Sequence, residues 1–292
     1  MVIKVLNDDP YDLKVKISID NLKLGLMNGL RRIMIGEIPT YAFVPSDVKI
    51  DKNTSYYYNN TRLKSNSFGL LPLINLPKDI KSDDELTASL MVTNINKQVT
   101  EYTTDDCQFF VNGTSFKMKY DPPITLIKLR TDEEIRLTAT ASIGIHYDHA
   151  RWSAVTVVEY DYEGDKEKPT SVTYGIESRE QFKSKDIFLK ACDVLIEKVQ
   201  IFIQNVDDKM TDKQRHFQDV YLGESYSLCN FLKDYLFEHL DFIAVTVPNQ
   251  SNKEFFIYCR KNKDLKKTII KQLKKSIEFI EDLKKSFNKT VK

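Results

Sequence analysis

The sequence predicts an α+β fold made of two related modules, with a β-rich segment inserted in the first. Three observations predict it: amphipathic helices towards both ends of the chain, a long central stretch of short strands, and a helical motif that occurs twice. The chain has 292 residues, which suffices for about two domains with a large core and no covalent staples.

Composition narrows the class of protein. A formal net charge of +1, from 43 basic and 42 acidic residues, excludes a global attraction to nucleic acid or membranes. Acidic residues interrupt the N-terminus where a secretory signal would need a continuous apolar stretch. The four cysteines contain no Cys-x-x-Cys pair, which favours reduced thiols over a disulfide framework or zinc site. We therefore expect an intracellular protein with no metal and no cofactor.

The N-terminal elements follow from hydrophobic periodicity. Apolar and polar residues alternate from Val2 to Ile19, which predicts a half-buried strand. Asp20 and Asn21 are both suited to cap the next helix. The apolar stripe of that helix runs from Leu22 to Ile38, and Pro39 ends it.

The centre of the chain, from Tyr41 to about Tyr162, is predicted to be mostly β because prolines and polar turn clusters interrupt short apolar runs. Helical spacing returns between Asp186 and Gln204, and a polar boundary follows at about 206–213. The elements expected beyond it are a strand end at Val220–Gly223, a helix at Tyr226–Leu240, strands at Phe242–Val247 and Glu254–Cys259, and a final helix from Leu265.

The internal repeat is the frame Leu-x-Asn-x-Leu, which occurs at Leu26–Leu30 and again at Leu228–Leu232, 202 residues later. At the same offset Ala42 matches Ala244, each on the strand expected after its helix. Two related modules on one chain can cover each other's apolar helix faces about a pseudo-twofold axis. Chance recurrence of common residues is the alternative explanation.

Few residues indicate chemistry. The sequence contains no phosphate-binding glycine loop, dinucleotide fingerprint or nucleophile elbow. His146 and His149 form a His-x-x-His pair, but a zinc site needs three or four ligands and no third candidate is nearby. The lysines between Lys266 and Lys285 are interpreted as the solvated side of an amphipathic helix, because no aromatic residues interleave with them.

The segment from Asn28 to Thr40 resembles the helix signature of the alpha-like RNA polymerase subunits, commonly N-A-L-R-R followed by E-V-P-T. The stretch from Gly223 to Leu232 resembles the G-E-D-H-T-L-G-N-L-L motif of that family's small partner. Nearly the whole chain is thus similar to a fusion of the large partner, the archaeal D type, with the small partner, the archaeal L type. Further stretches agree with the large partner in order: Val48–Ser55, Phe68–Leu73, His149–Val155 and Gly175–Ser178.

The resemblance implies a non-catalytic assembly subunit of a DNA-directed RNA polymerase, which brings the two largest catalytic subunits together for transcription. Its other implied partner is a small zinc-bearing adaptor subunit, with DNA reached only through the complex and no membrane involved. It implies dimerisation modules at 1–41 plus 158–207 and at 208–292, which form an intramolecular pseudo-dimer, and a β-rich domain inserted at 42–157. The chain departs from the small partner at Pro248–Ser251, where the family has P-H-P-L.

Two sets of contact residues come with the resemblance. The set expected to close the pseudo-dimer is Leu26, Ile33, Leu228, Asn230, Leu232, Leu236, Leu273 and Ile277. The set expected to face other polymerase subunits is Asn28, Leu30, Arg31, Arg32, Glu37, Pro39, Thr40, Phe68, Gly69, Leu70, Arg151 and Trp152. Within the second set, Leu70 and Trp152 are expected to be buried, whereas Arg31 and Arg32 favour the interface.

A DNA-tethering processivity clamp is the alternative function, and it would require a basic inner ring and ring-forming oligomers. An enzyme would need a titratable constellation in a pocket, which the sequence does not indicate. In its subunit fusion and its abundance of Lys, Asn and Ile, the sequence resembles proteins of large DNA viruses that transcribe in the host cytoplasm. The expected location is therefore the host cytoplasm and virion for a viral protein, and otherwise the nucleus or cytoplasm.

Overall fold

The computed structural model describes residues 1–19, 22–77, 80, 83–165, 168–222, 226–247 and 254–291. The helix cap expected at Asp20 or Asn21, the start of the small-partner motif at 223–225 and the turn at 248–251 lie outside these residues. Contacts divide the chain into two units. Unit 1 consists of Met1–Ile38, Val155–Ser178 and Lys183–Lys292, and unit 2 consists of Pro39–Ala154 and Arg179–Phe182.

The described residues form five α-helices and fourteen strands. The helices are α1 (Leu24–Gly36), α2 (Asn60–Arg62), α3 (Ser184–Lys209), α4 (Tyr226–Leu236) and α5 (Leu265–Thr290). The strands are β1 (Val2–Asp8), β2 (Asp12–Ser18), β3 (Thr40–Asn53), β4 (Leu86–Thr93), β5 (Thr100–Thr103), β6 (Gln108–Val111), β7 (Thr114–Phe116), β8 (Thr125–Leu129), β9 (Glu134–Gly144), β10 (Val155–Asp165), β11 (Lys168–Ser178), β12 (His216–Leu222), β13 (Phe242–Thr246) and β14 (Glu254–Arg260).

The predicted single strand from Val2 to Ile19 is instead the hairpin of β1 and β2. The chain reverses at Asp9, whose Oδ1 accepts hydrogen bonds from the backbone N–H groups of Tyr11 at 2.8 Å and Asp12 at 3.0 Å. Alternation continues through such a turn, so a period of two cannot locate the reversal.

The two sheets of unit 1 have the same strand topology apart from β1, an additional edge strand of the first sheet. Both sheets are antiparallel, with the orders β1-β2-β11-β10 and β12-β14-β13. In each sheet a strand, β2 or β12, pairs with the second strand of a later hairpin, and a long helix follows that hairpin. This topology makes β13 the counterpart of β10. The expected equivalence of Ala42 and Ala244 is therefore wrong, because Ala42 lies in β3 of unit 2.

The long helices α3 and α5 repeat each other position by position. Both have 26 residues, and their first residues, Ser184 and Leu265, set an offset of 81. Every buried residue of α5 falls on a buried position of α3 at this offset. The buried pairs are Ser184/Leu265, Phe188/Ile269, Cys192/Leu273, Leu195/Ser276, Val199/Ile280, Phe202/Leu283 and Val206/Phe287.

The counterpart helices pack against each other, α1 on α4 and α3 on α5. Between the long helices the rings of Phe188 and Phe287 are stacked, with centroids 3.9 Å apart and planes at 14°. Both side chains are fully buried. Aromatic pairs of this kind add about 1 kcal/mol to the free energy gained from burying their area.

Reciprocal lysines close the ends of the α3–α5 pair. Lys185 Nζ donates to the carbonyl oxygens of Asn288 at 3.0 Å and Val291 at 2.6 Å. Lys266 Nζ donates to those of Asp207 and Met210, both at 2.9 Å. The last carbonyls of a helix have no partner within it, and a cation there also complements the helix dipole. Lysines and carbonyls alike are related by the same offset of 81 residues.

Unit 2 is the predicted β-rich region, built on a five-stranded sheet of order β3-β9-β4-β6-β7 and the pair β5-β8. Its core contains Phe43, Phe68, Phe109 and Leu137. Phe68 ends a π-helical turn, Leu63–Phe68, that follows α2 and buries Leu63 as well.

Among the described residues, no helix is long and apolar enough to cross a membrane.

We expect Lys185→Met and Lys266→Met each to lower the free energy of unfolding of unit 1 by about 1 kcal/mol, because each leaves helix-end carbonyls without a cationic donor. Urea unfolding, monitored by far-UV circular dichroism, would measure this change in the free energy of unfolding. The single tryptophan, Trp152 of unit 2, gives an internal fluorescence control that should not shift. Lys4→Met removes an exposed lysine of β1 that has no described partner and lies at no helix end, so it should leave both transitions unchanged. An equal loss in Lys4→Met would contradict the capping role.

Candidate assembly interface

The unit 1 part of the expected interface lies on α1 and at its C-terminal end. Leu30 is fully buried in the core of unit 1, whereas Asn28, Arg31 and Arg32 are half-buried and reach the surface. Arg31 Nε donates to Asn28 Oδ1 at 3.1 Å, which orients the guanidinium beside the amide. Leu30 thus has a packing role, and the polar neighbours are the residues of this turn that another protein can reach.

Two tyrosines of the first sheet lie near Arg31. Burial, reinforced by the charge of Tyr162, raises the pKa of Tyr160 to about 12, while the positive charge of Arg31 acts in the opposite direction. Tyr174 is fully buried, and its hydroxyl donates to the Met27 carbonyl oxygen at 2.5 Å. Both phenols therefore stay neutral at physiological pH, so neither cancels the charge of Arg31.

Glu37 is buried at the end of α1 and forms an ion pair with Lys198 of α3. Lys198 Nζ lies 2.7 Å from Glu37 Oε2, and the side chains are 14% and 8% exposed. No described residue hydrogen-bonds the other oxygen, Oε1. A carboxylate at a helix C-terminus opposes the helix dipole, so the lysine offsets both that repulsion and the cost of burial.

The unit 2 part of the expected interface is organised by the short helical turn Ala150–Trp152. Arg151 Nη1 donates to the carbonyl oxygens of Phe43 and Gly69, both at 3.0 Å. His149 Nδ1 accepts a hydrogen bond from the Arg151 backbone N–H at 3.1 Å, which caps the turn. Arg151 thus ties the turn to β3 and to the segment that follows Phe68.

Trp152 is held on the sheet of unit 2. Its indole Nε1 donates to the Ser142 carbonyl oxygen at 3.1 Å, and its own carbonyl accepts from Thr40 Oγ1 at 2.8 Å. A Cβ on Gly144 would lie 2.5 Å from the indole ring, so the ring requires glycine at that position. Trp152 is half-buried, and its contacts are those of a packing residue.

In the segment from Phe68 to Leu71, the burial of one residue differs from the expectation. Phe68 is fully buried and Gly69 is buried, but the Leu70 side chain is 53% exposed, so the expectation that Leu70 is buried is wrong. The chain turns after the π-helical residues, where the Leu71 N–H donates to the Phe68 carbonyl at 3.0 Å, and Leu71 takes the core position instead. Pro39 is exposed and Thr40 is buried.

Six of the eight residues expected to close the pseudo-dimer are buried in unit 1: Leu26, Ile33, Leu228, Leu232, Leu236 and Leu273. Ile277 is half-buried. Asn230 has an exposed side chain, and only its backbone carbonyl approaches α1, 3.0 Å from where a Cβ on Gly25 would lie.

Sequence reasoning missed the polar contact that aligns α1 with α4. The Gly25 N–H, in the first turn of α1, donates to Asp234 Oδ2 of α4 at 2.7 Å. A carboxylate is stabilising at a helix N-terminus, and only glycine leaves room, because a Cβ there would lie 2.2 Å from that oxygen. The one sequence signal is a glycine within a helical stripe, which indicates close approach.

Cys107 and His149, two of the residues considered for metal binding, have other contacts. Burial raises the pKa of the Cys107 thiol to about 12, and its Sγ donates to the Ser89 carbonyl oxygen at 3.4 Å. His149 caps the Arg151 turn. Among the described residues no three His, Cys, Asp or Glu side chains are placed to share a metal ion.

We expect Lys198→Met to lower the free energy of unfolding of unit 1 by about 3 kcal/mol, because it leaves the Glu37 carboxylate buried without its cation. Combining it with Glu37→Leu should recover most of that loss, since a buried ion pair replaced by apolar groups is often neutral. Urea unfolding monitored by far-UV circular dichroism would compare the two variants. A single variant as stable as the wild type, or a double variant less stable than the single, would show that the pair does not anchor α1.

Comparison with known proteins gives the family. Residues 16–199 match the family described as the RNA polymerase Rpb3/Rpb11 dimerisation domain. The chain is 28% identical over 190 residues to DNA-directed RNA polymerases IV and V subunit 3B of Arabidopsis thaliana, which covers 56% of each chain. It is 22% identical over 269 residues to a putative DNA-directed RNA polymerase subunit of Acanthamoeba polyphaga mimivirus, which covers 77% of this chain and 74% of the viral one.

An archaeal relative, the RNA polymerase subunit Rpo3 of Pyrobaculum aerophilum, is 27% identical over 155 residues, covering 51% of this chain and 58% of the relative. The chain thus spans between half and three quarters of the length of these curated relatives. The family match begins within β2 and ends within α3. It therefore includes α1, the β-rich region, the hairpin of β10 and β11, and the first part of α3. With more than half of its residues matched, this chain belongs to the family of the RNA polymerase Rpb3/Rpb11 dimerisation domain.

Proposed function

We propose that this protein is a non-catalytic assembly subunit of a multisubunit DNA-directed RNA polymerase. The observation that carries the proposal is its membership of the Rpb3/Rpb11 family together with relatives that are named as subunits of such polymerases. Assembly is a matter of protein contacts, which suits a chain whose described cysteines are all buried free thiols and whose net charge is +1.

The two halves of unit 1 form the dimerisation platform in this proposal, with the small partner fused behind the large one. Three features support it: the shared strand topology, the packing of counterpart helices, and the reciprocal lysine contacts at an offset of 81 residues. Fusing two partners raises their effective concentration to about the millimolar range, so that no separate association step is needed. The β-rich unit 2 is then a domain inserted into the large partner.

The residues that contact the two largest subunits are Asn28, Arg31 and Arg32 on unit 1, and Pro39 and Leu70 on unit 2. Surface access supports this choice, because each of these side chains is at least partly exposed. Leu30, Glu37, Thr40, Phe68, Gly69, Arg151 and Trp152 support the same surfaces from within through the packing and hydrogen bonds described above.

The small zinc-bearing adaptor is a further proposed partner, and the assembly function itself requires DNA to be bound only by the complex. Location follows the polymerase: host cytoplasm and virion for a viral enzyme, nucleus or cytoplasm otherwise. The similarity to a mimivirus polymerase subunit favours the viral setting. The relatives named above are polymerase subunits, which favours the assembly function over the clamp alternative.

The proposal predicts that the tagged chain co-purifies with both of the largest polymerase subunits from cells that express the complete enzyme. Arg31→Glu with Arg32→Glu, and separately Leu70→Glu, should reduce their recovery at least about tenfold, because each places a new charge on a desolvated contact. Quantitative mass spectrometry of the purified material would measure recovery, and circular dichroism would confirm the fold.

The control matched to Leu70→Glu is Ile95→Glu, which adds the same single negative charge at an 82% exposed apolar residue of unit 2 outside the proposed contacts. It should leave recovery unchanged. Absence of both large subunits from the wild-type purification would reject the assembly function. Normal recovery with a folded double arginine variant would reject only the contact assignment.

A further inference from the structure

Four lysines of α5 form an exposed stripe that binds nothing within the described part of the chain. The lysine stripe consists of Lys267, Lys271, Lys274 and Lys275, all exposed on one face of the helix. At 1.5 Å per residue it spans about 12 Å. It borders an open groove of about 730 Å³. The groove is lined by Asp207, Asp212, Lys266, Lys267, Ile270, Lys271, Lys274, Lys275 and Glu278.

Packing does not explain the stripe, because other lysines of α5 make the contacts that hold the helix in place. Lys266 binds the end of α3 and forms an ion pair with Asp207 at 2.8 Å. Lys284 forms an ion pair with Asp193 of α3. No described residue forms a hydrogen bond or ion pair with any of the four stripe lysines.

The counterpart helix shows that the fold does not require positive charge here. At the offset of 81 residues, the positions of Lys267, Lys271, Lys274 and Lys275 in α5 correspond to Asp186, Lys190, Asp193 and Val194 in α3. The stripe carries four positive charges where its counterpart carries one positive and two negative charges. Two helices with the same buried pattern therefore differ in charge at the same surface positions.

The stripe also weakens the helix that bears it. Lys267 and Lys271, and Lys271 and Lys275, are like charges four residues apart, a spacing at which they repel each other. Lys267 also lies in the first turn of α5, where a cation faces the positive end of the helix dipole, and the nearest acidic residue along the chain is the N-cap residue Asp264. A charge pattern that the fold does not use and that destabilises the helix indicates a ligand that is a polyanion.

The chemistry of the groove suits a phosphate backbone. Every cation that lines the groove is a lysine, and a lysine ammonium group binds a phosphate as a point charge that needs no fixed geometry. None of the described lining residues is aromatic, so the groove offers no stacking surface for unpaired bases. Lys266 neutralises Asp207, which leaves the four stripe lysines against Asp212 and Glu278.

We propose that the lysine stripe is a docking surface for the phosphate backbone of duplex DNA, independent of base sequence. The positive charge is local, since the chain as a whole carries a net charge of only +1. The proposal does not rest on the assembly function, because it concerns the isolated chain.

The test is fluorescence anisotropy of a labelled duplex of about 20 base pairs with the full chain, titrated at several salt concentrations between about 50 and 200 mM. Four phosphate contacts predict a slope of about −3.6 for the logarithm of the binding constant against the logarithm of salt concentration. Changing Lys267, Lys271, Lys274 and Lys275 together to Gln should weaken binding at least about tenfold at low salt and bring the slope towards zero.

The matched control changes four exposed lysines elsewhere, Lys4, Lys49, Lys97 and Lys119, to Gln and so removes the same net charge. It should keep the wild-type affinity and slope, and circular dichroism should show both variants folded. Equal losses in the two variants would overturn the proposal, as would a wild-type chain that does not bind the duplex. Tighter binding to a single strand of the same length, or displacement of the duplex by polyglutamate at equal charge, would overturn the assignment to duplex DNA.

Discussion

The structure of unit 1 depends on one constraint: each long amphipathic helix must bury its apolar face, and each finds the cover it needs on its counterpart. The Phe188 and Phe287 rings stack at the centre of this contact. Lys185 and Lys266 close its two ends, which fixes the register of the helices. Because α3 also places Phe202 against Tyr221 of β12, at 5.0 Å between centroids, this helix joins the two sheets of unit 1.

Hydrophobic period predicted the helices α1, α3, α4 and α5 and the strands β12 to β14, whereas the strands of the centre of the chain were predicted only as a β-rich stretch. The stripe of α1 and the final helix follow directly from spacings of three and four residues. The reversal at Asp9 was missed because alternation looks the same before and after a turn. Leu70 was misplaced because Leu70 and Leu71 are equally apolar, and only the geometry of the preceding π-helical turn decides which one enters the core.

The stronger internal repeat was invisible to motif matching, because none of the seven buried pairs of α3 and α5 is identical. Packing constrains which positions are apolar and leaves the shape of each side chain to its local neighbours. Sequence reasoning did not identify Asp234 and Lys198, the partners of Gly25 and Glu37, for a different reason. Asp234 lies 209 residues from Gly25, and Lys198 is similarly remote from Glu37, so only the folded chain brings a donor to each acceptor. The family signature located Arg151, but only the structure shows that its guanidinium is used by two backbone carbonyls.

Two helices with the same buried pattern show which positions folding constrains and which it leaves free. Where α3 and α5 agree, as in their buried positions and terminal lysines, packing and capping account for the agreement. Where they differ at equivalent exposed positions, the fold tolerates either choice, since one helix already folds with Asp186 where the other has Lys267. The lysines of α5 lower the stability of their own helix, so the folding of this helix does not explain why they are there. Within such a pair, function is therefore best sought on the surfaces where the two helices differ, because the buried pattern that they share is explained by packing.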